Sequence, residues 1–167
     1  MSQAGQDKFV LEMMRGEIGT YLEIGASHPI HINNTYLLEK NGWKGVSIEI
    51  DPQCKDIWAS CRSNPLIIAD ALTYDYESML HGIERIDYLQ LDIEPNWNTF
   101  ECMKRIMQYP TRYSIITYET DAYWKPDYVQ PSRDILTSLG YVLYKADVLS
   151  EFGPFEDWYI DPKKIKV

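Results

Sequence analysis

The segment from residue 21 to residue 52 constrains the fold of this chain more than any other. It contains, in order, an apolar run at 20–24, a turn at Gly25-Ala26-Ser27, a helical pattern from Asn34 and a second apolar run at 45–50 that carries Glu49. Strand, glycine turn, helix, strand and acid in this order are typical of α/β nucleotide sites, where the turn admits a ligand and the acid binds ribose hydroxyls. Glu49 follows Gly25 by 24 residues, close to the roughly 20 expected for that role.

Apolar runs and turn residues predict strands that alternate with helices along the whole chain. The predicted strands are 20–24, 45–50, 66–69, 86–92, 113–119, 141–146 and, as a candidate seventh, 155–160; the predicted helices are 6–15, 34–40, 52–61, 77–81, 99–107 and 131–140. Such alternation is typical of a mostly parallel sheet with helices on both faces. The 167 residues contain no linker, repeat or low-complexity segment, so we expect a single domain over residues 1–167.

Charge and composition exclude several classes of function. The formal net charge is −9, and such a chain repels phosphate backbones, so we expect no nucleic-acid partner. No apolar run approaches the roughly 20 residues of a membrane span, and the first residues show no apolar core of signal-peptide length. The three cysteines form no CxxC pair, which indicates free thiols in a reducing compartment. We therefore expect a cytoplasmic protein without a membrane partner.

Carboxylates recur where the predicted strands end. The positions are Glu23, Glu49, Asp70, Asp92 with Glu94, and Glu119 with Asp121. Because ligands of such sheets bind at the carboxyl ends of the strands, these acids predict one acidic binding edge. Acids also cap the first turns of helices. Capping accounts for single positions such as Asp51 better than for the whole set.

Several sequence blocks together resemble the FkbM-type group of S-adenosylmethionine-dependent methyltransferases. The blocks are EIGA at 23–26, NTYLLEK at 34–40, GWKGV at 42–46, IE at 48–49, IDYLQLDIE at 86–94 and GY at 140–141. The similarity covers most of residues 18–161. It implies an α/β, Rossmann-like class I methyltransferase fold, whose mostly parallel seven-stranded sheet has an antiparallel last strand and helices on both faces.

The resemblance also implies a cofactor, S-adenosylmethionine, and a site for it. Glu23, Gly25 and Ala26 would line its methionine end, Glu49 would bind the ribose, Asp70 and Ala71 would flank the adenine, and Asp92 would lie beside the reacting centre. Ser27, Asn34 and Ile50 complete the predicted cofactor-binding set. The implied reaction is O-methylation of a small hydroxylated molecule or a sugar.

Two prolines depart from the pattern of the family. Pro29 and Pro95 stand where the family has glycine, and proline fixes φ and removes an N–H donor. They favour an alternative, a non-catalytic cofactor-binding or regulatory module with the same fold. A nicotinamide-dependent dehydrogenase is excluded more firmly, since the G-x-G-x-x-G fingerprint is absent.

Methyl transfer to oxygen is helped by a general base or a metal ion. Asp92, Glu94 and Glu119 are the candidate catalytic carboxylates, and His28 of the first loop is a candidate catalytic histidine, since histidine is a common general acid or base. Asp92, Glu119 and Asp121 are candidate ligands for Mg²⁺, because clusters of carboxylate oxygens suit hard cations. Crowded carboxylates also raise one another's pKa and so provide a base. Both alternatives stay open at this point.

The aromatic residues allow two interpretations. The chain contains 13 Tyr and 5 Trp, which pack a core or line a pocket or interface. An exposed set of tyrosines would allow a homodimer. The segment Tyr123-Trp124 follows the fifth predicted strand, and we expect it to form the wall against a small-molecule acceptor.

Overall fold

The computed structural model describes residues 2–166, which form one seven-stranded sheet with helices on both faces. The strands are β1 Thr20–Ile24, β2 Lys44–Glu49, β3 Leu66–Ile68, β4 Arg85–Leu91, β5 Arg112–Glu119, β6 Val142–Ser150 and β7 Gly153–Ile160. The helices are α1 Gln6–Met13, α2 Tyr36–Lys40, α3 Cys54–Cys61, α4 Tyr76–Leu80, α5 Asn96–Ile106 and α6 Val129–Ser138, with a 3-10 turn at Pro126–Tyr128.

The order of the strands places one crevice at the centre of the sheet. The order is β3-β2-β1-β4-β5-β7-β6, and only β7 runs antiparallel to its neighbours. The chain runs outward from β1 to β3 and then returns to β4 on the other side of β1. Ligands of open α/β sheets bind at such a reversal, outside the carboxyl ends of the strands. The expected parallel sheet with an antiparallel last strand is therefore confirmed.

Each face of the sheet buries its own apolar cluster. Leu22, Ile24 and Leu89 point to the face covered by α4, α5 and α6, where Met103 and Leu136 are fully buried. On the opposite face α1 and α2 contribute Phe9, Val10 and Leu38, which pack with Trp43 and Tyr88 of the sheet side. Strand residues alternate between the two faces, and helices cover both faces. The strands are therefore apolar on both sides and form nearly continuous apolar runs in the sequence.

The predicted elements are all present, and several begin or end elsewhere than predicted. Helix α2 begins at Tyr36 rather than Asn34, because the Asn33 side chain accepts hydrogen bonds from the backbone N–H groups of Thr35 and Tyr36 and holds the chain in a turn. Helix α3 begins at Cys54 rather than Pro52. Strand β6 extends to Ser150, since its second half pairs with β7 across irregular register shifts.

Three further elements begin earlier in the chain than predicted. Helix α5 begins at Asn96 rather than residue 99, α6 begins at Val129 rather than residue 131, and β7 begins at Gly153 rather than residue 155.

Within residues 2–166 no helix is both long enough and apolar enough to cross a bilayer.

Candidate functional site

A cavity of about 690 Å³ opens at the carboxyl ends of β1 to β5. This volume lies in the usual range for small-molecule sites. All the site residues predicted from the sequence line it: Glu23, Gly25, Ala26, Ser27, His28, Asn34, Glu49, Ile50, Asp70, Ala71, Asp92, Glu94, Glu119 and Asp121. The topology thus brings together residues that are up to 98 positions apart in the sequence, from Glu23 to Asp121. Their individual roles stay predictions.

The turn after β1 leaves no room for a side chain at Gly25. Its φ is +81°, and a Cβ atom there would lie 1.6 Å from the carbonyl oxygen of Asp92, the residue that follows the adjacent strand β4. The N–H groups of Gly25 and Ala26 both donate to the carbonyl oxygen of Ile48, at 3.0 and 3.2 Å. The backbone of three strand ends is thereby drawn together, and a ligand can approach it closely.

Glu49 lies at the end of β2 and is held by backbone donors. Its Oε2 accepts from the N–H of Ser27 at 2.7 Å, and its Oε1 accepts from the N–H groups of Ile50 and Asp51 at 2.8 and 2.9 Å. The carboxylate therefore bridges the β1 turn and the β2 turn. Each carboxylate oxygen has lone pairs beyond these bonds, so Glu49 can also accept from two ribose hydroxyls.

Glu23 forms part of the floor of the cavity beneath the β1 turn. Its Oε2 accepts from the hydroxyls of Ser47 at 2.6 Å and Thr35 at 2.8 Å. Burial raises the pKa of Glu23 above its ordinary value. An incoming ammonium group would favour the charged form, because an opposite charge nearby lowers a carboxyl pKa.

The first loop, at residues 25–35, is anchored from behind by Arg62, which follows α3. The guanidinium is fully buried and donates to the carbonyl oxygen of Pro29 at 2.9 Å, to Asn33 Oδ1 at 3.1 Å and to Thr35 Oγ1 at 2.9 Å. It also forms an ion pair with Glu39, at 2.5 Å from Nε to Oε2. Pro29 needs no N–H here, since its contribution to this network is its carbonyl group.

His28 stabilises the same loop through its imidazole. Nδ1 accepts from the backbone N–H groups of Ile30 and His31, at 3.1 and 3.0 Å. A neutral imidazole whose Nδ1 accepts carries its proton on Nε2. In that tautomer Nε2 can donate to a ligand, and the catalytic role of His28 stays a prediction.

Four carboxylates converge where β4 and β5 end. Glu94, Glu119 and Asp121 each offer one oxygen, and these oxygens all lie within 4.8 Å of one another. The metal set predicted from the sequence contains Asp92 and not Glu94, whereas this group of three contains Glu94 and not Asp92, which lies beside Glu119. Backbone bonds from Thr120 and Asp121 to the carbonyl oxygen of Phe155 hold the second half of this acidic cluster against β7.

The acidic cluster shows perturbed protonation. Burial, followed by the neighbouring Asp92, raises the pKa of Glu119 well above its ordinary value. Burial, followed by Glu94, raises the pKa of Asp121 to about 6. Asp92 likewise has a raised pKa, first through burial and then through Glu94. Chemically, the arrangement can keep one proton at neutral pH, accept a proton from a ligand, or bind a hard cation.

Three buried polar atoms that line the cavity have no hydrogen-bond partner within residues 2–166. They are Asn34 Oδ1, Gln90 Oε1 and Glu119 Oε2. Buried polar groups in native structures are almost always paired, so atoms of this kind indicate a bound ligand, ion or water. Gln90 was missed at the sequence level, although a polar residue two positions before Asp92 in an apolar strand points to the same face and could have been found by that periodicity.

Exposed side chains surround the mouth of the cavity. Ile32, Ile50, Tyr123 and Phe152 all line it and remain exposed. The rings of Tyr123 and Phe152 face each other with centroids 6.0 Å apart. Trp124, the second residue of the predicted acceptor wall, does not line the cavity and instead pairs with Trp97 at 6.0 Å. Phe152, in the turn between β6 and β7, was not predicted, since nothing local marks that turn as part of the site.

The overall structure is similar to solved methyltransferases, although no protein-family model and no curated protein matches this chain. An O-methyltransferase from Bacillus cereus in complex with SAH aligns with a TM-score of 0.66 and 15% identity, over 96% of this chain and 82% of that one. A proposed O-methyltransferase from Klebsiella pneumoniae aligns with a TM-score of 0.64 and 15% identity, over 95% and 80%. A proposed RNA methyltransferase from Pyrococcus horikoshii gives 0.62 and 10%, over 94% and 81%. The chain thus has the seven-stranded α/β fold of class I methyltransferases.

Proposed function

We propose that this protein is an S-adenosylmethionine-dependent methyltransferase of the FkbM-type group that methylates oxygen on a small hydroxylated acceptor. The observation that carries the proposal is the cavity at the reversal of strand order, which is bounded by the Gly25 turn on one side and by Glu49 on the other. The fold supports the methyltransferase class. The resemblance of the blocks from residue 23 to residue 49 supports the finer assignment.

The residues of the cavity suit this cofactor in charge and shape. The cofactor carries an ammonium and a sulfonium, so acidic side chains attract it. Glu23 lies beneath the turn, Glu49 can accept ribose hydroxyls, and Asp70 and Ala71, which follow β3 and line the cavity, would flank the adenine. The unpartnered Oδ1 of Asn34 offers an acceptor to the amino-acid end.

When bound, the cofactor supplies an activated methyl group. The chain has to hold the acceptor oxygen in line with that group and remove its proton. Asp92 directly follows β4, its carbonyl oxygen lies against the Gly25 turn, and its raised pKa makes its carboxylate a candidate proton acceptor. The exposed side chains of Tyr123 and Phe152 line the same cavity and would contact the acceptor.

The charge of the chain supports a small neutral or cationic acceptor. The net charge is −9 and four carboxylates face the candidate acceptor side, so phosphates and carboxylates are repelled. This argument applies to nucleic acids as well. A hydroxylated molecule without negative charge fits the cavity best.

Calorimetric titration with S-adenosylmethionine and with S-adenosylhomocysteine tests the proposal. We expect both to bind, and Glu49→Ala to weaken binding by roughly 1.5–3 kcal/mol, the range for a hydrogen bond to a charged group. Glu12→Ala, an exposed change in α1, is the matched control and should bind as the parent does. An unchanged affinity for Glu49→Ala would refute the ribose assignment.

A non-catalytic binding module is the second candidate, and Pro29 and Pro95 motivate it. Cofactor binding without methyl transfer to any hydroxylated acceptor would favour that module. Binding of neither compound by the folded protein would remove both cofactor-based proposals.

A further inference from the structure

We propose that the rings of Tyr123 and Phe152 form a binding site for a planar aromatic ring that carries a hydroxyl group. The acceptor of the proposed methylation is then an uncharged phenol. This assignment of the acceptor class rests on the proposed function, whereas the binding of an aromatic ring by the two side chains does not.

The first argument is the exposure of two large rings beside a cavity. Phe152 is 68% exposed and Tyr123 is 45% exposed, and both line the cavity. Phe152 belongs to the two-residue turn between β6 and β7, where glycine and polar residues are the usual choice. Single exposed aromatic residues are common, but a pair of them at the mouth of a cavity indicates a surface that a ligand covers.

The second argument is that the backbone holds the pair in place. The N–H of Tyr123 donates to the carbonyl oxygen of Pro154 at 2.9 Å, and the N–H of Phe152 donates to Ser150 Oγ at 3.1 Å. Gly153 has a φ of +130°, and a Cβ atom there would lie 3.0 Å from Cβ of Tyr123, so glycine lets the β6–β7 hairpin approach this residue closely. A site whose parts are already held in place loses less entropy when it binds a ligand.

The third argument is the arrangement of the two rings. Their centroids are 6.0 Å apart, and their planes are inclined at 33°. Aromatic rings pair in offset-stacked or edge-to-face geometry, with centroids about 4.5–7 Å apart. Because both side chains stay largely uncovered, a ligand ring can stack on the face of one and meet the other edge to face.

The polar groups beside the pair favour a phenol over a sugar. The hydroxyl of Ser150 donates to the carbonyl oxygen of Gly153 at 3.2 Å and accepts from the N–H of Phe152. The hydroxyl of Tyr123 lies within reach of the Asp121 carboxylate. A sugar presents several hydroxyls that each need a partner. A phenol presents one, and the carboxylates of the acidic cluster provide its partner.

The acidity of a phenol suits a site whose bases are carboxylates. A phenol has a pKa of about 10, as tyrosine has, whereas water, which resembles an aliphatic hydroxyl in acidity, has a pKa of about 15.7. In the transfer, the phenol oxygen forms a bond to the methyl carbon, the bond from that carbon to sulfur breaks, and the hydroxyl proton passes to a carboxylate of the cavity. A carboxylate removes this proton more readily than that of an aliphatic alcohol.

Saturation-transfer difference NMR, with 2-naphthol titrated into the protein with and without S-adenosylhomocysteine, tests the site. We expect saturable binding with a Kd on the order of 1 mM or below, as for ligands of this size. Phe152→Ala and Tyr123→Leu should each raise the Kd about three- to tenfold, because each removes one ring contact.

Two variants are controls. Tyr123→Phe keeps the ring and should bind 2-naphthol as the parent protein does. Leu149→Ala should also leave the Kd unchanged, because Leu149 is 67% exposed in the same hairpin and does not line the cavity. Circular dichroism verifies that each variant is folded.

Two further ligands decide the chemical class. The saturated analogue 2-decalol and methyl glucoside should each give a Kd at least about threefold higher than 2-naphthol gives. No saturable binding of 2-naphthol, or an equal Kd for Phe152→Ala, Tyr123→Leu and the parent protein, would overturn the site. Tighter binding of methyl glucoside, weakened by both variants, would overturn the phenol and assign the two rings to a sugar.

The same preparations separate this inference from the proposed function. Cofactor binding without binding of 2-naphthol overturns the ring site and leaves the methyltransferase proposal intact. Binding of 2-naphthol at the two rings without cofactor binding supports the ring site, and it removes the methyltransferase proposal together with the role of the phenol as acceptor.

Discussion

Replacing Arg62 by methionine tests whether the first loop depends on one buried cation. The guanidinium makes five side-chain and backbone hydrogen bonds, to Glu39, Pro29, Asn33, Tyr21 and Thr35. Methionine keeps much of the length and apolar contact of arginine and removes every donor. The change leaves Glu39 without its cation and the buried Glu23 without the nearest positive charge.

The magnitude follows from the burial of that charge. Removing one partner of a buried ion pair costs about 3–5 kcal/mol, because the other charge stays buried and uncompensated. The side chain of Arg62 is 0% exposed and that of Glu39 is 11% exposed, so we expect the full range. For a chain of this length, 1 kcal/mol shifts Tm by about 2–4 °C, which gives a decrease of roughly 6–20 °C.

Urea denaturation followed by circular dichroism measures the effect. Arg62→Lys should fall between the parent protein and Arg62→Met, since lysine keeps the charge and loses the planar set of donors. Arg105→Met, an exposed arginine at the end of α5 with one long bond to a backbone carbonyl group, is the matched control and should change stability by less than about 1 kcal/mol. A loss below 1 kcal/mol in Arg62→Met would refute the reasoning.

Three further perturbations have defined outcomes. Gly25→Ala should cost at least about 2 kcal/mol in urea denaturation, since its Cβ atom meets backbone, whereas Gly82→Ala, which shares a positive φ and has open space, should cost only about 1 kcal/mol. Burial raises the pKa of Glu156 from 4.5 to about 8, so the parent protein loses stability as pH rises through this window. Glu156→Gln should therefore stabilise the protein from about pH 6 upward and change little below about pH 4.5. Urea denaturation midpoints at about pH 5 and about pH 8 measure the difference. Asp161→Asn should lower the free energy of unfolding by about 2–3 kcal/mol. Burial alone would raise the pKa of Asp161, but hydrogen bonds from Arg112 and others lower it. In acid denaturation, the stability difference from the parent protein should therefore disappear as pH falls through that lowered pKa.

The sequence determined the sheet and its binding edge because both depend on local patterns. Apolar runs bounded by turn residues located every strand, and parallel strands put their carboxyl ends on one edge whatever the loops do. Glu49 and Asp92 could therefore be placed in one site from their positions at strand ends. The bounds of helices were less well predicted, since they depend on side-chain bonds such as those of Asn33 to the backbone of α2.

The rest of the site depends on contacts between distant segments, which no local pattern encodes. Arg62 lies 33 positions after Pro29, and its buried contact with that loop has no signal in spacing or periodicity. Whether Asp92 or Glu94 belongs to the group of three carboxylates depends on the course of the turn that follows β4. Phe152 reaches the cavity from a hairpin whose length exceeded the prediction.

The conformation of the cavity wall bears on whether Pro29 damages the site. Ser27, Ile32 and Asp121 line the cavity with φ values of 48°, 50° and 47°, which non-glycine residues rarely adopt. Each costs of order 1 kcal/mol or more and persists only where the surroundings fix it. Arg62 supplies that constraint for the first loop, through the carbonyl group of Pro29. A loop that had merely lost its glycine would relax out of these conformations. The first loop instead keeps these strained conformations around unpartnered polar atoms, which indicates a wall shaped for a ligand. For this reason cofactor binding should be tested before the non-catalytic alternative.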